Sequence, residues 1–513
     1  MLSKSRSRSI KWKSHITVGI RVLPHPSPLP LPERFRWRLV VLRVEVVFYM
    51  KKPTPPHTGS THQTVIEIST ASGPQSMRIG FTDQRLTAHG GLAVWSAFLQ
   101  KCGAREQLEK VLPQAPTSPN AYVPSDVALG LLGGVLCGAD KLSRVAHLRH
   151  DPALAEVLGV EAVASQSTLT RFLGSFGQKA SDALNGLHRW AAGRLPSLPG
   201  GYTLDLDSWS LLHEAGAQEG VCRGYTPRGL LPCHRPLIAC LAEPKLVAGF
   251  WLRKGNAQCP EGVPEFVAEL LDQLPKQIRI GCVRADAGFY NEAVQGLLEQ
   301  RKLNYIIALK LYQKWQKYCR HDDRHWTPTD LPGLEAQEIE SEHLGRRIII
   351  LRHCLAERPE AGGKVLLAVP GYRCNALITN LPRHWSVLAI WRHYNGRSES
   401  ENRIRELGAQ FGIKGFCCQK FAATQAVCQL AIWAYNLCVL LQRELGLREK
   451  VQLLTLRWQL FCRAAVWIRA QNQPTLKLAI TGQAQREWWQ KLLEKLRSSL
   501  PPLNCDAVEL STG

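Results

Sequence analysis

The 513-residue sequence has no CxxC pair among its sixteen cysteines, and most of these stand in apolar runs such as Ala434 to Leu441. That spacing gives no sign of a disulfide framework, and the thiols read as reduced core residues. Cys417 and Cys418 are adjacent, a poor geometry for a metal site or an unstrained disulfide, so a reducing, cytosolic compartment is the expectation. No signal peptide and no internal repeat is evident. The most apolar stretch, Cys428 to Leu441, falls short of the about 20 residues that a membrane span requires. Acidic residues are also scarce: Asp+Glu number 42 against 64 Lys+Arg, a net charge of +22 with a pI near 9.5. Such an excess points to a polyanionic partner, because neutralising phosphates releases counterions.

What is present is a chain long enough for two to four domains, with the 45% hydrophobic and 21% charged content of an ordinary globular protein. The charge is unevenly spread. Residues 1 to 52 hold twelve Lys/Arg against Glu33 and Glu45, so +10 of the +22 sits there and +12 remains for the rest. Pro24, Pro26, Pro28, Pro30 and Pro32 forbid helix in this stretch. It is either a basic arm that grips DNA or no part of the working protein. The second reading is favoured, because Met50 offers an internal start and compact patterning begins only near Met77.

The expected organisation follows from periodicity. Residues 1–77 are basic, Pro-rich and without packed structure. Residues 78–195 form an all-α region in which Leu92, Trp95, Phe98 and Leu99 recur at helical spacing. Ser165-Gln166-Ser167-Thr168 before Leu169 and Leu173 reads as a helix start, either an ordinary cap or a phosphate-binding end. An α/β core begins over 196–310, with strands at Thr203 to Asp207, Pro236 to Ala242, Gly281 to Asp286 and Tyr305 to Lys310 around a helix from Asn291 to Lys302. Residues 311–390 carry strand pairs without strong helices, a β-rich insertion. The helical period returns in 391–445, and 446–513 is expected to be a basic helical tail. Its Trp458, Trp467, Trp488 and Trp489 read as core more readily than as nucleic-acid contacts.

The chemistry rests on carboxylates. Divalent metals that drive phosphodiester reactions need hard oxygen ligands, and strand-end aspartates supply them. Asp205 and Asp207 lie two apart on one strand, hence on one face, and Asp286 closes a second strand before the Gly288 turn. Either Asp205 or Asp207 is the first ligand. A third acid, Glu401, lies on a helix four residues before Arg405, so a metal-binding carboxylate and a phosphate-binding guanidinium share a face.

The segments Asp205-Leu206-Asp207, Gln218-Glu219-Gly220, Gly224-Tyr225-Thr226-Pro227, Gly255-Asn256, Arg284-Ala285-Asp286-Ala287-Gly288-Phe289-Tyr290, Glu401-Asn402-Arg403-Ile404-Arg405-Glu406-Leu407 and Ala434-Tyr435-Asn436-Leu437 resemble, in order and spacing, the DDE transposases of bacterial insertion sequences, DDE domain group 1. The likeness covers roughly residues 78 to 498. It implies an RNase H-like α/β catalytic core whose β-rich insertion precedes the glutamate, in keeping with the spacing of 115 positions from Asp286 to Glu401. It further implies two Mg²⁺ ions, replaceable by Mn²⁺, on Asp207, Asp286 and Glu401, with Asp205 the alternative first acid. Tyr394, Arg397, Arg405, Arg403 and Arg284 would contact DNA phosphates. The implied partners are the terminal inverted repeats and target DNA, with a homodimer on DNA, no membrane, and a cytoplasmic, nucleoid-associated setting in bacteria. The implied activity is cleavage of transposon ends and their joining to target. A catalytically inactive DNA-binding derivative and a nuclease without strand transfer are the alternatives. Two positions depart from the pattern: Gly408 stands where the family signature of Tyr394, Arg397 and Glu401 continues with lysine, and Trp209 stands where relatives carry a hydroxyl. Restoring the lysine at position 408 is expected to raise activity.

Overall fold

The computed structural model describes residues 64–498 apart from 71–72, 116, 214–216, 227, 259–260, 320–325, 341–344, 368, 417 and 448–449. The expectation for residues 1–63 lies outside the described residues. Two compact units divide between Asp83 and Gln84. In the first, Thr64–Thr70 pairs antiparallel with Gly73–Ile79, from Thr70↔Gly73 to Thr64↔Ile79. This hairpin corrects the expectation that structure begins only near residue 77. The β-branched residues of Thr64-Val65-Ile66-Glu67-Ile68-Ser69-Thr70 favour a strand, and the proline-based reading came from residues further upstream.

The second unit opens with helices. Pro124–Cys137 begins on a proline, whose fixed φ suits the first turn, and ends on Gly138 at φ +110. Gln166–Gly174 is capped by Ser165, whose Oγ accepts from Thr168 N at 3.2 Å, so the Ser-rich start is a cap.

A mixed sheet follows, with strands β1 (Tyr202–Ser208), β2 (Leu237–Leu241), β3 (Leu246–Trp251), β4 (Ile280–Ala285), β5 (Asn304–Ala308), β6 (Thr327–Pro328), β7 (Leu334–Glu340), β8 (Arg347–Cys354), β9 (Lys364–Val365) and β10 (Tyr372–Thr379). Their order is β6-β7-β8-β10-β5-β4-β1-β2-β3, with β9 on β10. β1, β4 and β5 run parallel, β4 in the middle; the other pairings are antiparallel. The strands between residues 327 and 379 thus continue the same sheet through the β5–β10 pairing. β1 lies inside the sheet, and six of its seven residues are buried.

Edge strand β3 offers backbone groups to no further strand, and side chains of two helices satisfy them. Asn436 accepts from Val247 N at 2.9 Å and donates to Val247 O at 2.8 Å, while Asn185 accepts from Phe250 N at 3.1 Å. Neighbouring Tyr435 donates to Lys245 O at 2.6 Å. The Ala434-Tyr435-Asn436-Leu437 motif is therefore a sheet-edge clamp. It sits on the 24-residue helix Phe421–Glu444, whose most apolar window is wholly buried in the protein. Among the described residues this is the one helix long and apolar enough to cross a membrane, and its burial marks it as the core helix.

The tail is not wholly helical, contrary to expectation. Ala465–Ala470 and Gln473–Leu478 form a hairpin that also pairs with Leu86–Thr87, and only then does helix Gln483–Ser498 follow. Val466, Trp467 and Ile468 favour a strand, and Gln471 and Asn472 supply the positive φ of a tight turn. The tryptophans divide: Trp489 is buried, Trp467 half-buried, and Trp458 and Trp488 exposed.

Candidate active site

The site forms where β1 and β4 end side by side. Their parallel register sets Arg284 against Asp205 and Ala285 against Leu206, so one residue further on Asp286 comes level with Asp207. Asp286 starts a turn in which its Oδ1 accepts from Gly288 N at 2.8 Å, leaving its side chain 42% exposed. The helix Ser398–Ala409 brings the third acid. Ser400, Arg403 and Leu407 on one side are buried, while Glu401, in the first turn, and Arg405 are exposed.

Asp205 is fully buried and hydrogen-bonded through both oxygens. Arg284 donates Nε to Oδ1 at 2.7 Å and Nη2 to Oδ2 at 3.0 Å; Arg403 Nη2 and Ser400 Oγ reach Oδ2 at 2.8 and 2.9 Å. Arg284 Nη1 also donates to His393 O, and a Cβ on Gly396 would lie 2.6 Å from that nitrogen, so glycine makes room for the guanidinium. This network ties β1, β4 and the glutamate-bearing helix together, which corrects three expectations. Asp205 has both oxygens engaged, one donor on Oδ1 and three on Oδ2, and Arg284 and Arg403, at 4% and 3% exposure, face this carboxylate and not a DNA phosphate. Two apart on a strand, Asp205 and Asp207 share a face but not a depth, and the inner one is enclosed.

Asp207 is different. Its Oδ2 is buried and accepts no hydrogen bond; Arg397 Nη2 lies 3.1 Å away as an ion pair and 3.8 Å from Asp286 Oδ2. Burial pushes the Asp207 carboxyl up to about 6; Asp286 and Glu401 push the same way, against Arg397 and the Ser208 N–H. Burial also raises the Tyr394 hydroxyl to about 12, with Asp286, Asp207 and Glu401 adding to the rise. For Arg397 burial works against the charge, but Asp207, Tyr394 and Asp286 outweigh it and the net shift is upward. Asp207, Asp286, Glu401, Arg397 and Tyr394 thus act on one another as a single electrostatic cluster. Arg397 bridges two of its acids, and is buried rather than presented to DNA. Arg405 is exposed beside Glu401, within 3.3 Å of Asn402 Oδ1.

The carboxylate oxygens are hard donors suited to Mg²⁺, and the buried Asp207 Oδ2 accepts no hydrogen bond and faces Arg397 as an ion pair, a place that a cation suits. The residues therefore fit a divalent ion, although among the described residues no three such ligands are yet drawn together into a closed cage.

The two departures resolve on packing. Trp209 turns its ring toward Phe250 on β3, 6.3 Å between centroids, where it packs against the core. Gly408 is buried beneath the Lys414 side chain: a Cβ there would lie 2.7 Å from Lys414 Cε, so a lysine added at 408 must displace the one already lying over it. Sequence reasoning missed Ser400, whose partner lies 195 residues away, and Lys414, which stands in a loop without a motif.

The family model described as transposase DDE domain group 1 matches residues 70–501. Among curated proteins no relative matches. Among solved structures, the chain is similar to the piggyBac transposase in a cryo-EM synaptic complex with hairpin DNA, at 12% identity and a TM-score of 0.41, over 81% of this chain and 86% of that one.

Proposed function

The chain belongs to the transposase DDE domain group 1 family, and from that premise we propose that it cleaves the ends of its own mobile element and joins them to target DNA. The observation that carries this reading is the electrostatic cluster of Asp207 and Asp286, at the ends of two adjacent parallel strands, with Glu401 from the helix beside them and Asp205 withdrawn into a structural network. We read the core as RNase H-like. Support comes from the β3-β2-β1 antiparallel trio continued by parallel β4 and β5, which sets the two aspartates side by side, and from a glutamate helix that follows the added strands. Asp207, Asp286 and Glu401 would hold the divalent ions that the family uses, Mg²⁺ or Mn²⁺ in a pair, which supply activation of water or a 3′-hydroxyl.

The remaining tasks fall to this chain's own groups. Arg397 offsets the repulsion between Asp207 and Asp286 until positive charge arrives, keeping the acids close without a proton on both. Tyr394, held protonated by burial and further by its acidic neighbours, keeps an O–H to donate to a phosphate oxygen. Arg405 presents an exposed guanidinium for the backbone. The partners on this reading are terminal-repeat DNA, target DNA and a second copy of the chain on DNA.

The test uses purified protein, Mg²⁺ and DNA carrying the sequences that flank the coding region as inverted repeats. Nicking at the repeat ends and joining to a second duplex are expected, with Asp286→Asn abolishing both while end binding persists. Cleavage by Asp286→Asn within a few-fold of the parent overturns the site. Cleavage without joining makes the protein a nuclease, and binding without either makes it an inactive derivative.

A further inference from the structure

We infer that Lys414 supplies a phosphate-positioning cation on the face of the glutamate-bearing helix, in space that Gly408 leaves open; the inference rests on the transposase reading. Glu401, Arg405 and Gly408 are spaced by four and seven residues, so they lie along one face of helix Ser398–Ala409. Glu401 and Arg405 expose their side chains there. Gly408 has none, and the Lys414 stem lies across it, with Cγ and Cδ each 3.2 Å and Cε 2.7 Å from where a Cβ would stand. A lysine side chain from outside the helix thus covers the surface that residue 408 would otherwise fill.

The approach is built into the backbone. After the helix the chain folds back on its own last turn, Ile413 N donating to Leu407 O at 3.3 Å and Lys414 N to Gly408 O at 3.5 Å. Gly412 makes that reversal at φ +74, and a Cβ on Gly415 would lie 2.2 Å from Asp140 O, so the loop is pressed against a neighbour where only glycine fits. Ile413 and Phe416, each 1% exposed, anchor it on both sides of the lysine. Lys414 itself is exposed, and its ammonium has no hydrogen bond or ion pair among the described residues. The side chain is held by its stem and free at its charge, which is the condition for meeting a partner from outside.

That partner's chemistry follows from position. Seven helical residues correspond to about 10.5 Å along the axis, so Lys414 lies one short reach from the acids without touching them. Lysine binds phosphate as a compact point charge with three donors, so the ligand is a backbone phosphate near the reacting one on the same DNA. Lys414 is a positioning residue: it registers the strand on the cluster and takes no part in proton or metal chemistry.

The test is K414M, which keeps an apolar stem over Gly408 and removes the charge. With an end-repeat duplex, its melting temperature should match the parent, its affinity should fall roughly tenfold, and the slope of log K against log salt should shrink by about 0.9. K414R should retain the parent slope. G408K alone should bring no gain because of the Lys414 stem, whereas G408K combined with K414A should recover affinity. A neutral methylphosphonate at the inferred phosphate should weaken the parent but not K414M. An unchanged slope in K414M overturns the inference, as does a melting temperature lowered by several degrees with the slope intact, which would make the lysine merely structural. D286N run alongside separates the two levels: if it still cleaves, the site reading fails; if it is dead and K414M binds like the parent, only the lysine inference fails.

Discussion

Replacing Asp205 with asparagine would leave Arg284 and Arg403 buried with one charge fewer between them, and a broken buried ion pair costs about 3–5 kcal/mol. Asp205→Asn is therefore expected to lower the melting temperature by several degrees and to lose cleavage through the fold. An Asp205→Asn protein as stable as the parent would contradict the network. Asp207 behaves in the opposite sense. Its folded pKa of about 6 lies above its ordinary 3.8, so the folded state holds the proton more tightly than the unfolded chain. Its contribution to stability is thus full below pH 4 and is lost as pH rises through about 6. Without metal, Asp207→Asn should be more stable than the parent at pH 7, by an amount on the order of 3 kcal/mol, and the two should converge near pH 4. Added Mg²⁺ should then stabilise the parent above pH 6 and not the variant. Melting curves taken with chelator and with Mg²⁺ across this range decide it; parallel pH profiles for the two proteins would mean that Asp207 is unperturbed.

At the scale of elements, edge strand β3 depends on helix Phe421–Glu444 for partners that no strand provides. Asn436→Leu removes both bonds to Val247, and each backbone group left unpaired in the core costs about 1–3 kcal/mol. Faster amide exchange at Val247 together with a lower melting temperature is expected; protection like the parent's would show that the strand does not need the clamp. The same elements mark how far the sequence can be read. β1, β2, β4 and β5 were legible because alternation and terminal aspartates are local signals, and the Ser165 cap was legible for the same reason. The division of labour between Asp205 and Asp207 was not, because Arg403 and Ser400 that enclose Asp205 are 198 and 195 residues away. The tail hairpin was hidden by tryptophans and leucines that also fit a helical period. The cover over Gly408 was unreadable because it comes from a loop.

For the whole molecule, the strands between residues 327 and 379 join the sheet on the β5 side, so the 115-residue step from Asp286 to Glu401 enlarges the platform and returns the chain to the site. The second unit, from Gln84 onward, draws its buried core from its own residues, and the family match begins at residue 70. Residues 1 to 49 contribute ten Lys/Arg and two Glu, a large share of the +22, yet they precede everything the family has in common. Two effects of deleting them can be separated. If their charge serves DNA binding, each lost phosphate contact should reduce the salt slope by about 0.9, and affinity should fall most at low salt. If their residues pack, melting should shift. We expect neither: the protein lacking residues 1 to 49 should keep its melting temperature, its salt slope and its cleavage rate. A slope reduced by one or more with melting unchanged would instead assign the basic stretch to DNA gripping, and a melting temperature lower by several degrees would assign it to the fold.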